Sequence, residues 1–136
     1  MKELFLLAAV ICFGTAILKF YTARTSTVRT EPNKGYLTLT PEAAKTRLEE
    51  NPDVILLDVR TQEEYDSGHI PGAVCFPNED IQPELPLPFE KEAEILVYCR
   101  SGHRSAEAAG KLADMGCTNV ADFGGILNWP YEITTG

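Results

Sequence analysis

The sequence predicts an α/β fold in which a central, mostly parallel, five-stranded sheet carries helices on both faces. Two continuous apolar runs, at 54–59 and 94–98, have the composition of strands that are buried on both faces. Segments with helix-capping signals follow these runs, and strands that alternate with helices are typical of a parallel sheet. In such a sheet we expect the functional residues at the carboxyl ends of the strands.

The composition fits one globular domain of this kind. The chain has 136 residues, of which 44% are hydrophobic and 24% charged. The net charge of −8 argues against nucleic-acid binding, since a surface that displaces counterions from phosphates must be basic. Four cysteines are too few for a disulfide framework. Because Cys12 lies in an apolar run and the other three cannot all pair, we expect a free thiol.

A hydrophobic segment opens the chain. Residues 4–18 carry no charge, and this run is shorter than the roughly 20 residues that a spanning helix needs. Lys19 and Tyr21 suit the membrane interface and lengthen the segment. We therefore predict that residues 1–21 form a hydrophobic helix, anchored in a membrane through residues 4–21. The alternatives are a cleaved signal peptide and a helix of the globular domain.

A basic segment separates this helix from the domain. Residues 22–35 lack apolar periodicity and end in Pro-Asn-Lys-Gly, which predicts a flexible linker. The first 35 residues hold five basic and two acidic side chains, a net charge of +3. Because the whole chain carries −8, residues 36–136 carry −11. Basic residues after the apolar run favour a cytoplasmic domain by the positive-inside rule. Export to the periplasmic or extracellular face is the alternative.

The elements of the domain are predicted from their ends. Strands are expected at 36–40, 54–59, 73–76, 94–98 and 119–123, and helices at 40–51, between Thr61 and Gly68, and at 102–115. Thr40 before Pro41, and later Thr61, are N-cap residues, while Gly116 suits the position that follows a helix. Four prolines make 77–90 an extended loop with at most one helical turn, and a short turn is expected around 127–129.

The candidate chemistry lies where a buried strand runs into a helix. Cys99 ends the second apolar run, and the next helix begins within the segment that follows, namely Arg100, Ser101, Gly102, His103 and Arg104. A helix N-terminus and two arginines favour an anion, and so favour the thiolate, which is the nucleophilic form of cysteine. Gly102 allows the loop to turn several N–H groups inward. We predict that Cys99 is a nucleophile; a buried structural cysteine is the alternative.

The domain resembles the rhodanese-homology family over residues 36–133. The matching motifs are Cys-x-x-Gly-x-Arg-Ser at 99–105, Asp58-Val59-Arg60, Glu63-Glu64-Tyr65, Gly68 to Ala73, Gly124-Gly125 and Trp129. The resemblance implies a rhodanese-like fold and sulfur transfer without a metal or cofactor. Cys99 would take a sulfane sulfur from an anionic donor such as thiosulfate, become a persulfide, and pass the sulfur to cyanide, a thiol or a protein.

The resemblance also separates the branches of that family. The six-residue loop from Cys99 to Arg104 matches sulfurtransferases, whereas the phosphatase and arsenate-reducing branch has one more residue and a wider cradle. Tyr98 stands where phosphatases commonly have histidine. We therefore expect a monomeric, thiosulfate:cyanide-type sulfurtransferase. A persulfide carrier that hands sulfur to a partner protein is the alternative, and a phosphatase or arsenate-reductase activity is less favoured.

Residues around the loop receive supporting roles. We expect Asp58 to be structural and to bond Arg104 or loop amides, and Arg60 to form an exposed ion pair with Glu63 or Glu64. Arg104 is expected to face the loop or its substrate, and Arg100 either steers an anionic donor or is simply exposed. His103 can tune the charge of the site, although sulfur transfer to a thiolate needs no general base.

The remaining candidates are expected to be structural. His69 is predicted to be a hydrogen-bonded histidine of a turn, and Trp129 a core residue at the edge of the sheet. Cys75 is expected to be inert core. Cys117 is expected to be partly exposed, which leaves open a resolving disulfide with Cys99.

Overall fold

The computed structural model of the protein describes residues 28–29 and 34–136, so the predicted N-terminal helix lies outside the described residues. The strands are β1 (Val28–Arg29), β2 (Leu37–Leu39), β3 (Ile55–Asp58), β4 (Val74–Cys75), β5 (Ile95–Cys99) and β6 (Val120–Gly125). The helices are α1 (Pro41–Glu50), α2 (Gln62–Ser67) and α3 (His103–Asp114), with 3-10 turns at Asn78–Asp80 and Ile126–Asn128. Within the described ranges, no helix is both long enough and apolar enough to cross a membrane.

The strands form one sheet in the order β1-β2-β6-β5-β3-β4. All neighbours from β2 to β4 are parallel, which confirms the predicted five-stranded parallel sheet. The sixth strand, β1, pairs antiparallel with β2 and falls inside the segment predicted to be a linker. Val28 stands among threonines, and β-branched residues suit a strand that adds to an exposed sheet edge.

Two apolar cores lie on opposite faces of the sheet. Because successive side chains of a strand point to opposite faces, each central strand contributes to both cores. One core contains Leu56, Leu96, Tyr98, Phe123 and Trp129, and packs against α1. The other contains Leu57, Val97, Cys99, Ala108 and Leu112, and includes the buried side of α3. The prediction of helices on both faces is therefore confirmed, and Cys99 belongs to the α3 face.

The predicted helix ends are present. The Thr40 hydroxyl accepts the Ala43 N–H at the start of α1. Thr61 and Glu64 form a capping box at the start of α2, in which each side chain accepts the other residue's N–H. After α3, Gly116 has a φ of +95°, a left-handed conformation that favours glycine. Short-range capping chemistry thus defines where the helices begin and end.

Candidate active site

The sulfur of Cys99 lies at the amino end of α3. Cys99 is the last residue of β5 and is fully buried. Its Sγ accepts a hydrogen bond from the Gly102 N–H at a distance of 3.0 Å. Gly102 is the N-cap of α3 and has a φ of +108°, so only glycine adopts this turn without strain. The N–H and the positive end of the helix dipole both favour an anionic sulfur at this position.

Ser105 completes the floor of the site. Its hydroxyl lies 3.5 Å from the Cys99 Sγ and within 3.2 Å of the carbonyl oxygens of Gly102 and Gly124. The side chain is fully buried. Sequence reasoning treated Ser105 only as part of a motif. Its place in the first turn of α3 was the available signal, because that turn faces the strand end from which Cys99 emerges.

The Gly124-Gly125 pair supports the loop from the side. Gly125 pairs with Cys99 across a bulge between β5 and β6. A Cβ at Gly125 would overlap the Arg100 carbonyl group, so the close approach of β6 to the loop requires glycine. The Leu127 N–H then donates to the Arg100 carbonyl at 3.2 Å. This packing extends β6 two residues beyond its predicted end at 123.

Arg104 is paired with a residue of another helix. Its two terminal nitrogens donate to the Glu64 carboxylate at 2.8 and 2.9 Å. The hydrogen bonds from Arg104 hold the pKa of Glu64 at about 2, and the same bonds raise the pKa of Arg104. The Arg104 guanidinium is therefore directed to Glu64 of α2. The expectation that Glu64 or Glu63 would pair with Arg60 is wrong.

Arg60 belongs to a buried network behind the site. It is 5% exposed, and its guanidinium binds Asp58 with an Nη2 to Oδ2 distance of 2.6 Å. The same Asp58 oxygen accepts the Tyr98 hydroxyl at 2.7 Å. A fully buried carboxylate needs such partners, and the arginine two residues ahead is the nearest cation. The expectation that Asp58 bonds Arg104 or loop amides is wrong, since its contacts are these and the Arg60 N–H.

The two other described cysteines lie away from the loop. Cys75 is half-buried, and burial raises the pKa of its thiol. Cys117 is buried and not partly exposed as predicted, and burial raises its pKa as well. It follows the carboxyl end of α3, so the helix of 12 residues, about 18 Å long, separates it from Cys99. A disulfide needs Cα atoms within about 7 Å, which excludes that pairing in this fold.

The remaining predicted residues divide into loop and core. Arg100, Ser101 and His103 are exposed along the loop. His69 is buried, and its Nδ1 lies 2.8 Å from the Tyr65 carbonyl oxygen, which confirms its structural role. Trp129 is buried against Phe123 and confirms the predicted core residue.

Comparison with known proteins gives consistent matches. The rhodanese-like domain model matches residues 40–131. An Allochromatium vinosum sulfurtransferase is 37% identical over 92 residues, which are 65% of this chain and 82% of that protein. An adenylyltransferase and sulfurtransferase of Meyerozyma guilliermondii is 40% identical over 93 residues, and the match spans 61% of this chain but only 22% of that protein.

A solved structure agrees with these matches. The rhodanese-like domain protein from Staphylococcus aureus is 32% identical, with a TM-score of 0.64, and the match covers 73% of this chain and 97% of that one. The family model covers most of the domain, and the buried cysteine at the amino end of α3 stands within the matched residues. The chain belongs to the rhodanese-like domain family.

Proposed function

We propose that the protein is a sulfurtransferase that carries a sulfane sulfur on Cys99. The hydrogen bond from the Gly102 N–H to the Cys99 Sγ supports this most directly, because it stabilises a charged sulfur within a buried site. The positive end of α3 acts in the same direction. The relatives named sulfurtransferases support the same class of reaction.

The proposed reaction has two steps. The Cys99 thiolate attacks the outer sulfur of thiosulfate, so a sulfur–sulfur bond forms on the enzyme. The bond to the sulfonate group breaks, and sulfite leaves with that electron pair. Cyanide or a thiolate then attacks the terminal sulfur of the persulfide, and Cys99 returns as the thiolate. The Gly102 N–H, which donates to Sγ, would stabilise the charged sulfur in each step.

Mass spectrometry of the purified domain tests this proposal. Treatment with thiosulfate should add the mass of one sulfur to the peptide that contains Cys99, and cyanide should remove it. The peptides of Cys75 and Cys117 serve as internal controls and should keep their masses. A peptide of Cys99 that gains no sulfur at any thiosulfate concentration would overturn the proposed function.

A protein acceptor is the second candidate. The full burial of Cys99 restricts access to slender nucleophiles, such as cyanide or a cysteine on an extended segment. The Meyerozyma guilliermondii relative is named for both adenylyltransferase and sulfurtransferase activity. Turnover with cyanide alone supports a small-molecule enzyme. A persulfide that resists cyanide but passes to a protein thiol supports the carrier.

We also propose that residues 4–21 attach the domain to a membrane, with the domain on the cytoplasmic side. Val28 lies opposite Leu39, the last residue of β2, so β1 begins at the carboxyl end of the parallel strands, where β5 ends in Cys99. Cell fractionation should find the full chain with the membranes. A soluble mature protein that begins after residue 16 would overturn the anchor. Degradation of the domain by protease added to intact cells would overturn the orientation.

A further inference from the structure

The ion pair between Arg104 and Glu64 links the active-site loop to α2. Both contacts are short, and each side chain is only 30% exposed. Glu64 is itself fixed, because its Oε2 also accepts the Thr61 N–H at 2.9 Å. The Glu64 N–H in turn donates to the Thr61 hydroxyl at 3.2 Å. The carboxylate that binds Arg104 is therefore held rigidly by the capping box of α2.

This arrangement leaves Arg104, in the first turn of α3, with unused donors. A guanidinium has five N–H groups, and a bidentate ion pair uses two of them. Among the residues that the structure describes, Glu64 is the only acceptor of the Arg104 side chain. Arg104 is the second residue of α3, and the N-cap of that helix, Gly102, donates to the Cys99 sulfur. The three remaining N–H groups are therefore available to an anion at this site.

We propose that Glu64 is the positioning residue for Arg104, and that it orients the free N–H groups of the guanidinium toward the sulfonate of an anionic sulfur donor. This inference rests on the proposed function and deepens it. A long arginine side chain loses its rotamer freedom when it binds a ligand. Glu64 removes that freedom in advance, so the donor meets an ordered group. The acceptor step should not depend on it, because the sulfonate has by then departed as sulfite.

The Glu64→Gln variant tests this proposal, and Glu63→Gln is the matched control. Glutamine keeps an oxygen for the Thr61 N–H, so the capping box of α2 can persist. It removes the charge and the bidentate partner of Arg104. Glu63 lies next to Glu64 on α2, is exposed, and has the same charge. The control therefore reports the effect of charge alone.

We expect a loss that is confined to the donor step. In Glu64→Gln, kcat/KM for thiosulfate should fall about tenfold, which is the usual effect of losing a charge-assisted hydrogen bond. The kcat/KM for cyanide should stay within about twofold of the wild type. Glu63→Gln should resemble the wild type in both. Equal donor kinetics in the two variants would overturn the proposal.

A double-mutant cycle shows whether Glu64 acts through Arg104. The Arg104→Lys variant cannot form the bidentate pair, so it should lose donor kcat/KM by itself. Adding Glu64→Gln to it should then cost little more. Additive losses would mean that Glu64 acts by another route, and would overturn the proposal. An NMR signal of the Arg104 Nε–H that sharpens in the wild type and in Glu63→Gln, but broadens in Glu64→Gln, would report the orientation directly.

The two proposals fail in different ways. If Glu64→Gln does not fold, Arg104→Lys tests the pair from the loop side without changing the cap of α2. Unchanged donor kinetics in Arg104→Lys would overturn the positioning role. Saturating thiosulfate should still add one sulfur to Cys99 in every folded variant. If the wild type itself gains no sulfur, it is the sulfurtransferase function that fails.

Discussion

Cys99 and Cys117 lie at opposite ends of the same helix, and both are buried in the same apolar core. Their exposed fractions are 0% and 4%. At the amino end of α3, the Cys99 Sγ receives the Gly102 N–H. At the carboxyl end, the Cys117 N–H donates to the Leu112 carbonyl, and burial raises the pKa of its thiol. Burial raises the pKa of the Cys117 thiol, whereas the N–H donor and the helix amino end at Cys99 suit a charged sulfur, which is the basis of the role proposed for Cys99.

Removing each thiol should have a different effect: loss of activity at Cys99 and loss of stability at Cys117. Cys99→Ser should abolish sulfur transfer while the fold survives, because a serine hydroxyl is too weakly acidic to attack sulfur without a base. Cys117→Ser should keep most of the activity, although a buried hydroxyl costs about 1–3 kcal/mol of unfolding free energy. Cys75→Ser should also keep much of it. Turnover of thiosulfate and cyanide, with circular dichroism as the check on folding, measures both effects. More than a small residual rate in Cys99→Ser would contradict the nucleophile assignment.

A methyl group added at Gly125, next to the active-site loop, tests whether activity depends on the position of the loop at the amino end of α3. Gly125→Ala places a Cβ into the Arg100 carbonyl group, so the loop and β6 must move apart. A displacement of about 1 Å can cost on the order of 100-fold in rate, and we expect a loss of that size in kcat/KM. Gly110→Ala is the control, since its Cβ would meet only the Tyr36 ring at 3.9 Å.

The control variant Gly110→Ala should be more stable than the wild type. Alanine within α3 should raise the unfolding free energy by about 0.5–1 kcal/mol and leave activity unchanged. Urea unfolding and turnover can be measured on the same samples. Wild-type turnover in a folded Gly125→Ala protein would show that loop position does not set the reactivity of Cys99.

A substitution at Tyr98, which precedes Cys99 in the sequence, should lower stability but not the rate of sulfur transfer. Tyr98 points to the opposite face, where its hydroxyl bonds Asp58 at 2.7 Å and accepts the Ile70 N–H at 3.1 Å. Tyr98→Phe should cost about 1–3 kcal/mol of unfolding free energy, because it leaves the buried Ile70 N–H without its acceptor and removes one hydrogen bond from Asp58. Turnover should stay within about threefold of the wild type, since a loss of this size in stability leaves the protein folded. A much larger fall in turnover would place the Asp58 network in the active site.

The smallest expected effect is an acid-dependent loss of stability from the loop's ion pair. The pKa of Glu64 is about 2 in the folded protein, against an ordinary value of 4.5. Between these values the unfolded chain binds more protons, so the stabilisation is full above about pH 4.5 and is lost as the pH falls toward 2. The stability difference between wild type and Glu64→Gln should therefore shrink on acidification. A difference that stays constant from pH 5.5 to 2.5 in urea unfolding would contradict this.

Local patterns in the sequence were sufficient to predict the scaffold of the site. The apolar runs that became β3 and β5, the caps at Thr40 and Thr61, and the cysteine before a helix start all depend on residues within about four positions of one another. Backbone preferences and side-chain capping act over that distance, so they can be inferred before the fold is known.

The partners of the charged side chains were decided only by the tertiary structure. The sequence suggests Glu63 or Glu64 as the partner of Arg60. In the structure Arg60 binds Asp58, and Glu64 binds Arg104, which is 40 residues away. An ion pair forms between whichever groups converge when helices pack on a sheet, and the residue spacing does not encode this.

The sequence by itself determined the parallel sheet, the helix ends and the place of Cys99. The tertiary structure decided which side chains are buried and which charged groups pair. Cys117 illustrates the limit. The sequence predicts a partly exposed Cys117, but the N–H groups of Gly116 and Cys117 donate back to the carbonyl oxygens of Ala113 and Leu112. This helix-ending pattern turns the residue after the glycine onto the core. Whether a side chain there meets solvent or packs against Leu112 depends on which surface lies opposite, and that surface exists only once the chain has folded.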